Sequence, residues 1–182
     1  MRILIASDIH GSVAGAARFR DKVKEMKPDM VLLLGDILYH GPRNPLPEEH
    51  DPPAVVAILS DLGVSVAAVR GNCDAEVDQL VLPFHLAENA WIIDDGRRLL
   101  AMHGHQLPDD ESEIKVEPGT AILSGHIHIP VAEKRGPVHR WNPGSTSLPK
   151  ENYPASFGLY ENGRFTVMSF AGEILKSDAL CA

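Results

Sequence analysis

Asp8 and His10 stand two residues apart in the stretch 7–11, and His126 and His128 stand two apart in the stretch 124–128. Asp36 follows Gly35, Asn72 follows Gly71, and His103 and His105 flank Gly104. Carboxylates, imidazoles and an amide oxygen make a hard-to-borderline donor set. That set suits Mn, Fe or Zn rather than a metal that prefers thiolate. In extended chain, side chains at i and i+2 point the same way, so each spaced pair is expected to reach one ion. The glycines at 11, 35, 71, 104 and 125 are expected to let the backbone turn sharply and approach closely. Two ions about 3.5–4 Å apart that share a carboxylate form the usual clamp for in-line displacement at phosphorus. Taken singly, Asp8 or Asp36 would serve equally well as a helix cap. The recurrence of such residues beside glycine is what points to a site. His40, His50, His85 and His139 fall outside the pattern and receive no role.

The donors sit where strands should end. Residues 3–6 are continuously apolar and stop at Ser7-Asp8, as a buried strand does. Residues 12–26 carry Val13, Ala16, Ala17, Val23 and Met26 among charged residues, which predicts an amphipathic helix with Ser12 as N-cap and Pro28 beyond its end. Residues 30–36 repeat the pattern of apolar run then acid. A second helix is expected over 54–63, stopped by Gly63, and a third strand over 64–72. Two helices between three strands imply parallel pairing. In an open α/β sheet, the carboxyl ends of such strands gather at one edge, and sites form there. The second half reads as short turn-bounded strands near 90–94, 98–102, 120–124, 130–134, 156–160 and 164–170. The acidic stretch 109–118 has room for a helical turn. No linker divides the 182 residues, so a single domain, 1–182, is expected.

Composition excludes several classes. No apolar run approaches the ~18 residues of a membrane span. The first residues are too briefly apolar for a signal peptide, so a cytoplasmic protein is expected. A net charge of -8 argues against a nucleic-acid coat or a membrane-surface binder, both of which need a basic face. It leaves room for a phosphate substrate, because bound cations would supply local positive charge. Two cysteines, at 73 and 181, provide neither a disulfide framework nor a structural zinc site. There is no G-x-S-x-G elbow, H-E-x-x-H, Walker loop or G-x-G-x-x-G.

The stretches "SDIHG", "LLGDI", "RGNCD", "MHGH" and "SGHIH" occur in the order D-x-H, G-D, G-N-[HDE], H and G-H-x-H. In this the chain resembles the calcineurin-like metallophosphoesterases over most of its length. The nearest likeness, through "SDIHGS", "RGNCD" and "NPGS", is to the small bacterial YfcE-type phosphodiesterases. The resemblance implies a four-layer α/β/β/α sandwich. It also implies that Asp8, His10 and His128 hold one divalent ion, that Asn72, His103 and His126 hold another, and that Asp36 bridges them. The cofactors implied are two such ions, Mn2+ first and Zn2+, Fe2+ or Ni2+ as alternatives, with a bridging hydroxide as nucleophile. Stretch 141–146 matches a family loop near the metals, and its composition also suits a tight turn. His105 is expected either to contact substrate or to orient a ligand. Cys73 falls where many relatives carry a histidine thought to protonate the leaving group.

Arg43, in the proline-rich loop 39–53 after Asp36, is a candidate phosphate contact, because guanidinium matches phosphate oxygens bidentately. The first function expected is hydrolysis of a small phosphodiester. The alternatives are a phosphomonoesterase or nucleotide phosphatase on the same site, and a non-catalytic scaffold like the retromer subunit that resembles this fold. Edge strands and the exposed loop permit self-association without requiring it.

Overall fold

The computed structural model describes residues 1–108, 110 and 113–180. Strand β1 (Arg2–Ala6), helix α1 (Val13–Met26), strand β2 (Met30–Leu33), helix α2 (Pro52–Ser60) and strand β3 (Ser65–Val69) realise the expected opening, with β1, β2 and β3 paired in parallel. Ser12 caps α1, its Oγ accepting from the Gly15 N–H at 3.1 Å. Helix α2 starts two residues before the predicted point, because Pro52 and Pro53 fit a first turn that needs no N–H from them. Asp51 caps it, accepting from Ala54 N–H at 3.1 Å.

A one-turn 3-10 helix (Glu76–Leu80) leads to β4 (Leu86–Ala87), β5 (Ala90–Asp94), β6 (Arg97–Ala101) and β7 (Ala121–Leu123). These are followed by β8 (Pro130–Arg135), β9 (Val138–Pro143), β10 (Ser156–Glu161), β11 (Arg164–Ser169) and β12 (Ile174–Ala179). The first sheet has seven strands in the order β12-β11-β10-β1-β2-β3-β4. The second has five, β5-β6-β7-β9-β8. Antiparallel β10, β11 and β12 extend the parallel opening on its β1 side, so the first sheet is mixed. Sequence patterning left out β4, β9 and β12. Strand β9 ends in Asn142-Pro143, which reads as turn, and β12 is a polar strand at a sheet edge.

The period-two alternation of β1 sorts its side chains between two cores. Leu4 and Ala6 join Ala16, Phe19, Val23, Val55 and Leu59 beneath the two helices. Ile3 and Ile5 point the other way and meet Leu99, Leu123, Trp141 and Phe165 between the sheets. The outer face of the second sheet, with Leu100, Ile122 and Val138, is covered by Met102, Leu107, Ile114 and Val116. No α-helix forms in that covering segment among the described residues. The two sheets therefore pack face to face as expected, with the helices outside the first and this covering segment outside the second. Of the stretch 109–118, where a helical turn was expected, residues 109, 111 and 112 lie outside those described, and the described ones form no α-helix. No helix of the described residues is long and apolar enough to cross a membrane.

Polar ties cross the seam between the sheets. Asp178 of β12 accepts at one oxygen from Trp141 Nε1 at 2.8 Å and from His139 Nδ1 at 2.6 Å, both on β9. His139, given no role from the sequence, thus joins the sheets. Tyr160 of β10 donates to Asp94 of β5 at 2.8 Å. Burial alone would raise the Asp178 carboxyl, but the hydrogen bonds from His139 and Trp141 outweigh it and hold the group below its ordinary value. A depressed carboxyl contributes stability above its unfolded value, about pH 4, and loses it as pH falls through the lower native value. Asp178→Asn should therefore cost on the order of 1.5 kcal/mol at pH 7. Urea titrations across pH should show that deficit shrinking as the solution is acidified below about pH 4.

Candidate metal centre

Each predicted donor lies just past a strand end. Asp8 and His10 follow β1, Asp36 follows β2 and Asn72 follows β3, all from the first sheet. His103 follows β6, and His126 and His128 follow β7, from the second. The site thus straddles the seam.

Convergence is not achieved through extended chain, as the i, i+2 spacing suggested. Asp8, His10, Asp36, His126 and His128 have φ of 55°, 53°, 54°, 70° and 63°. Five of the seven candidate ligands therefore occupy the left-handed region, which non-glycine residues rarely adopt and which costs of order 1–3 kcal/mol each. The tight turns they form bring side chains to one point that extended chain would have spread along a line. The glycines do allow close approach. A Cβ at Gly71 would collide with the Asp36 carboxylate and backbone N–H, and one at Gly125 would collide with Ser7 Oγ.

Three imidazoles are aimed by the same device. His10 Nδ1 lies 2.8 Å from the Tyr39 carbonyl, His103 Nδ1 2.7 Å from that of Leu34, and His128 Nδ1 2.6 Å from that of Leu148. A carbonyl only accepts, so each Nδ1 carries the proton and each Nε2 offers a lone pair. The Nε2 atoms of His10 and His128 face one another at 3.2 Å. Two lone pairs at that separation repel unless a cation or proton lies between them. Asp8 Oδ1 lies 3.3 Å from His128 Nε2 and 3.7 Å from His10 Nε2. That oxygen is buried and has no hydrogen-bond partner. An unpaired buried carboxylate oxygen costs several kcal/mol, and a cation held by Asp8, His10 and His128 would remove that cost.

Asp36 is placed between the two halves. Its Oδ1 accepts from Cys73 N–H at 2.8 Å. Its Oδ2 lies 3.4 Å from His103 Nε2 and 3.8 Å from His10 Nε2. Asn72 Oδ1 is 3.1 Å from His103 Nε2. Burial works against charge on both Asp36 and His103, yet their mutual attraction prevails, holding the carboxyl low and the imidazole high. Burial lowers His10, and burial with the nearby His103 lowers His126, both toward the neutral, ligating form. His126 stands farther out, half-buried, its ring 5.2 Å from that of His103 and outside the tight groupings of metal-ligating atoms.

Cys73 Sγ groups with His10 and Asp36, with the ligating atoms all within 4.8 Å of one another. Burial and the charge of Asp36 push the thiol up to about 12. A cavity of about 930 Å³ opens over the cluster, lined by Asp36, Cys73, His126 and His128 on one side and by Tyr39 and Arg43 on another. Arg43 is exposed and has no ion-pair partner among the described residues. His105 lines a separate cavity of about 260 Å³ together with His103.

The family model for the calcineurin-like phosphoesterase superfamily domain matches residues 1–163. The chain belongs to that superfamily. It is 40% identical to the phosphodiesterase YfcE of Escherichia coli K12 over 171 residues, 93% of this chain and 92% of that one. A solved structure of E. coli YfcE, described as a phosphoesterase, superposes with a TM-score of 0.94 at 38% identity over the whole of both chains. Zinc-bound Vps29 from Entamoeba histolytica matches with a TM-score of 0.65 at 21% identity over 97% of each chain, a likeness of fold alone. The hydrolytic phosphoesterase class follows from the family model together with the named relative.

The motifs that define this superfamily name the donors but not what aims them. Asp74 accepts from the N–H groups of Asp36 at 2.8 Å, Ile37 at 2.8 Å and Gly71 at 2.7 Å. It thereby clamps the end of β2 to the end of β3, and with it Asp36 to Asn72. Ser145 and Ser147 donate to the Asp8 carbonyl at 2.8 and 3.0 Å, and Asn142 donates to the Gly125 carbonyl at 2.7 Å. The end of β9 and the loop after it therefore hold the turns of Asp8 and His126. From the sequence Asp74 and Ser147 had no reading, and Ser145 had only its place in the stretch 141–146 that matches a family loop near the metals. Partners of this kind are worth about 10–100-fold in metal affinity. Asp74→Ala should weaken divalent-ion binding by that range in calorimetry, with Asn72 and Asp36 intact.

Proposed function

We propose that the chain is a phosphodiesterase that needs two divalent ions, Mn2+ foremost, and hydrolyses a small phosphodiester in the cytoplasm. Asp8, His10 and His128 would hold one ion, Asn72, His103 and His126 the other, with Asp36 shared. The observation that carries the reading is the buried, unpaired Asp8 Oδ1 facing two inward-aimed imidazoles. When bound, the ions would supply Lewis-acid stabilisation of phosphoryl oxygens and lower the pKa of an attacking water. The protein's own part is orientation. The carbonyls of Tyr39, Leu34 and Leu148 keep three Nε2 lone pairs pointed inward, and Asp74 fixes Asp36 against Asn72. Arg43, on the cavity wall, would take a non-bridging phosphate oxygen. The diester preference rests on the relative named phosphodiesterase. The scaffold alternative is set aside because all seven candidate positions carry donor side chains.

A chromogenic diester assayed with and without Mn2+ tests the class. Chelation should abolish turnover and Mn2+ should restore it. Turnover indifferent to chelator, or none with any divalent ion, would sink the reading.

Cys73 occupies the place of the proton donor. A thiol lacks the match of imidazole to neutral pH, so leaving groups that need protonation should be poor substrates. Cys73→His should raise kcat about tenfold or more for an alkyl-ester leaving group and little for p-nitrophenolate. Equal effects on the two would remove Cys73 from this role.

A further inference from the structure

The smaller cavity, about 260 Å³, shares no lining residue with the larger one and has His103 of the cluster in its wall. His105 lines it and His126 lines the larger one, with ring centroids 6.1 Å apart, so the two hollows flank the same centre. The apolar part of its lining is Met102, Leu107 and Ile114, which also cover the outer face of the second sheet. Its cation is Arg70, two residues before Asn72. Arg70 Nε is buried and has no hydrogen-bond partner. The ion pair that Arg70 makes, to Glu76, is long at 3.7 Å and uses Nη1, against a carboxylate that is almost fully exposed. Glu88 and Asn89, also in the lining, are exposed residues. The Arg70 side chain is 27% exposed, so the guanidinium donors that the long Glu76 pair leaves unused stand open to an anionic oxygen group that arrives with a ligand.

Resting on the phosphodiesterase reading, we infer that this hollow is a subsite for one ester arm of the substrate, an arm with an apolar ring or chain that ends in a phosphate bound by Arg70. A diester has two arms leaving one phosphorus, and the centre has a hollow on each side. The larger hollow, with Arg43, receives the scissile phosphate and the other arm. The smaller one reads whether the second arm carries its own charge, which gives His105 a place beside the substrate.

The test compares a dinucleotide with and without a terminal phosphate, alongside bis(p-nitrophenyl) phosphate, on the metal-loaded full chain. The wild type should show a KM about tenfold lower for the terminally phosphorylated dinucleotide, the effect of one charge-assisted hydrogen bond. Arg70→Met should raise that KM to the value for the unphosphorylated form, and Arg70→Lys should recover part of the preference. Asn89→Trp, which narrows the hollow without touching Arg70, should erode it as well. No preference in the wild type, or a preference that survives Arg70→Met, overturns the inference. So does a preference lost in Arg43→Met and kept in Arg70→Met, which would assign the phosphate to the larger hollow. Failure to cleave bis(p-nitrophenyl) phosphate with any divalent ion would instead strike the phosphodiesterase reading. Calorimetric binding of the phosphorylated dinucleotide to wild type and Arg70→Met reads the subsite in either case.

Discussion

Two carboxylates and three imidazole lone pairs are driven into one buried point, and the rest of the molecule answers to the cost of putting them there. Asp8 is fully buried and Asp36 nearly so, with His10, His103 and His128 packed against them. Negative charge and lone pairs at such separations in a low-dielectric interior repel strongly unless compensated. Compensation from the protein is deliberately incomplete. One oxygen of each carboxylate is satisfied, Asp8 by Ser7 Oγ and His126 N–H, Asp36 by Cys73 N–H. The other oxygen of each is left facing the centre. The fold spends its hydrogen bonds on direction and leaves the charge for a cation to neutralise.

That division explains why the backbone is strained where it is. Left-handed turns at five candidate ligands and the glycine close approaches at 71 and 125 are unfavourable locally. They persist because the surroundings overdetermine them. Asp74 closes three N–H groups onto itself, and Ser145 and Ser147 take the carbonyls exposed by the Asp8 turn. The apolar strands that precede these turns are buried on both faces, so they cannot shift to relieve them.

The sequence displayed the donors because a metal site needs particular atoms, and residue type encodes atoms directly. Asp8, Asp36 and Asn72, with the parallel opening that carries them, could be read from apolar runs that end in an acid or an amide, and the four histidines from their spacing beside glycine. The direction of those donors was not legible, since it depends on carbonyls at Leu34, Tyr39 and Leu148, and any residue supplies a carbonyl. Periodicity also misjudged how Asp8 meets His10, because it assumes extended chain where the chain turns. Strand β12 was missed for a related reason. A polar edge strand has one neighbour and little apolar signature, and its pairing is dictated by β11 rather than by its own residues. Nothing in the residue pattern marked Arg70, whose unpaired Nε only the folded chain displays.

The seam between the sheets has a further consequence. Asp8, His10, Asp36 and Asn72 ride on one sheet, and His103, His126 and His128 ride on the other. The distance between the two halves of the donor set is therefore fixed by the side chains that keep the sheets apart, Ile3, Leu32, Leu123 and Trp141 among them. Those residues are not candidate ligands, yet they gauge the opening into which an ion would fit. A methylene gained or lost in that hydrocarbon layer would retune ionic radius preference from a distance, so the apolar core works as the caliper of the metal centre.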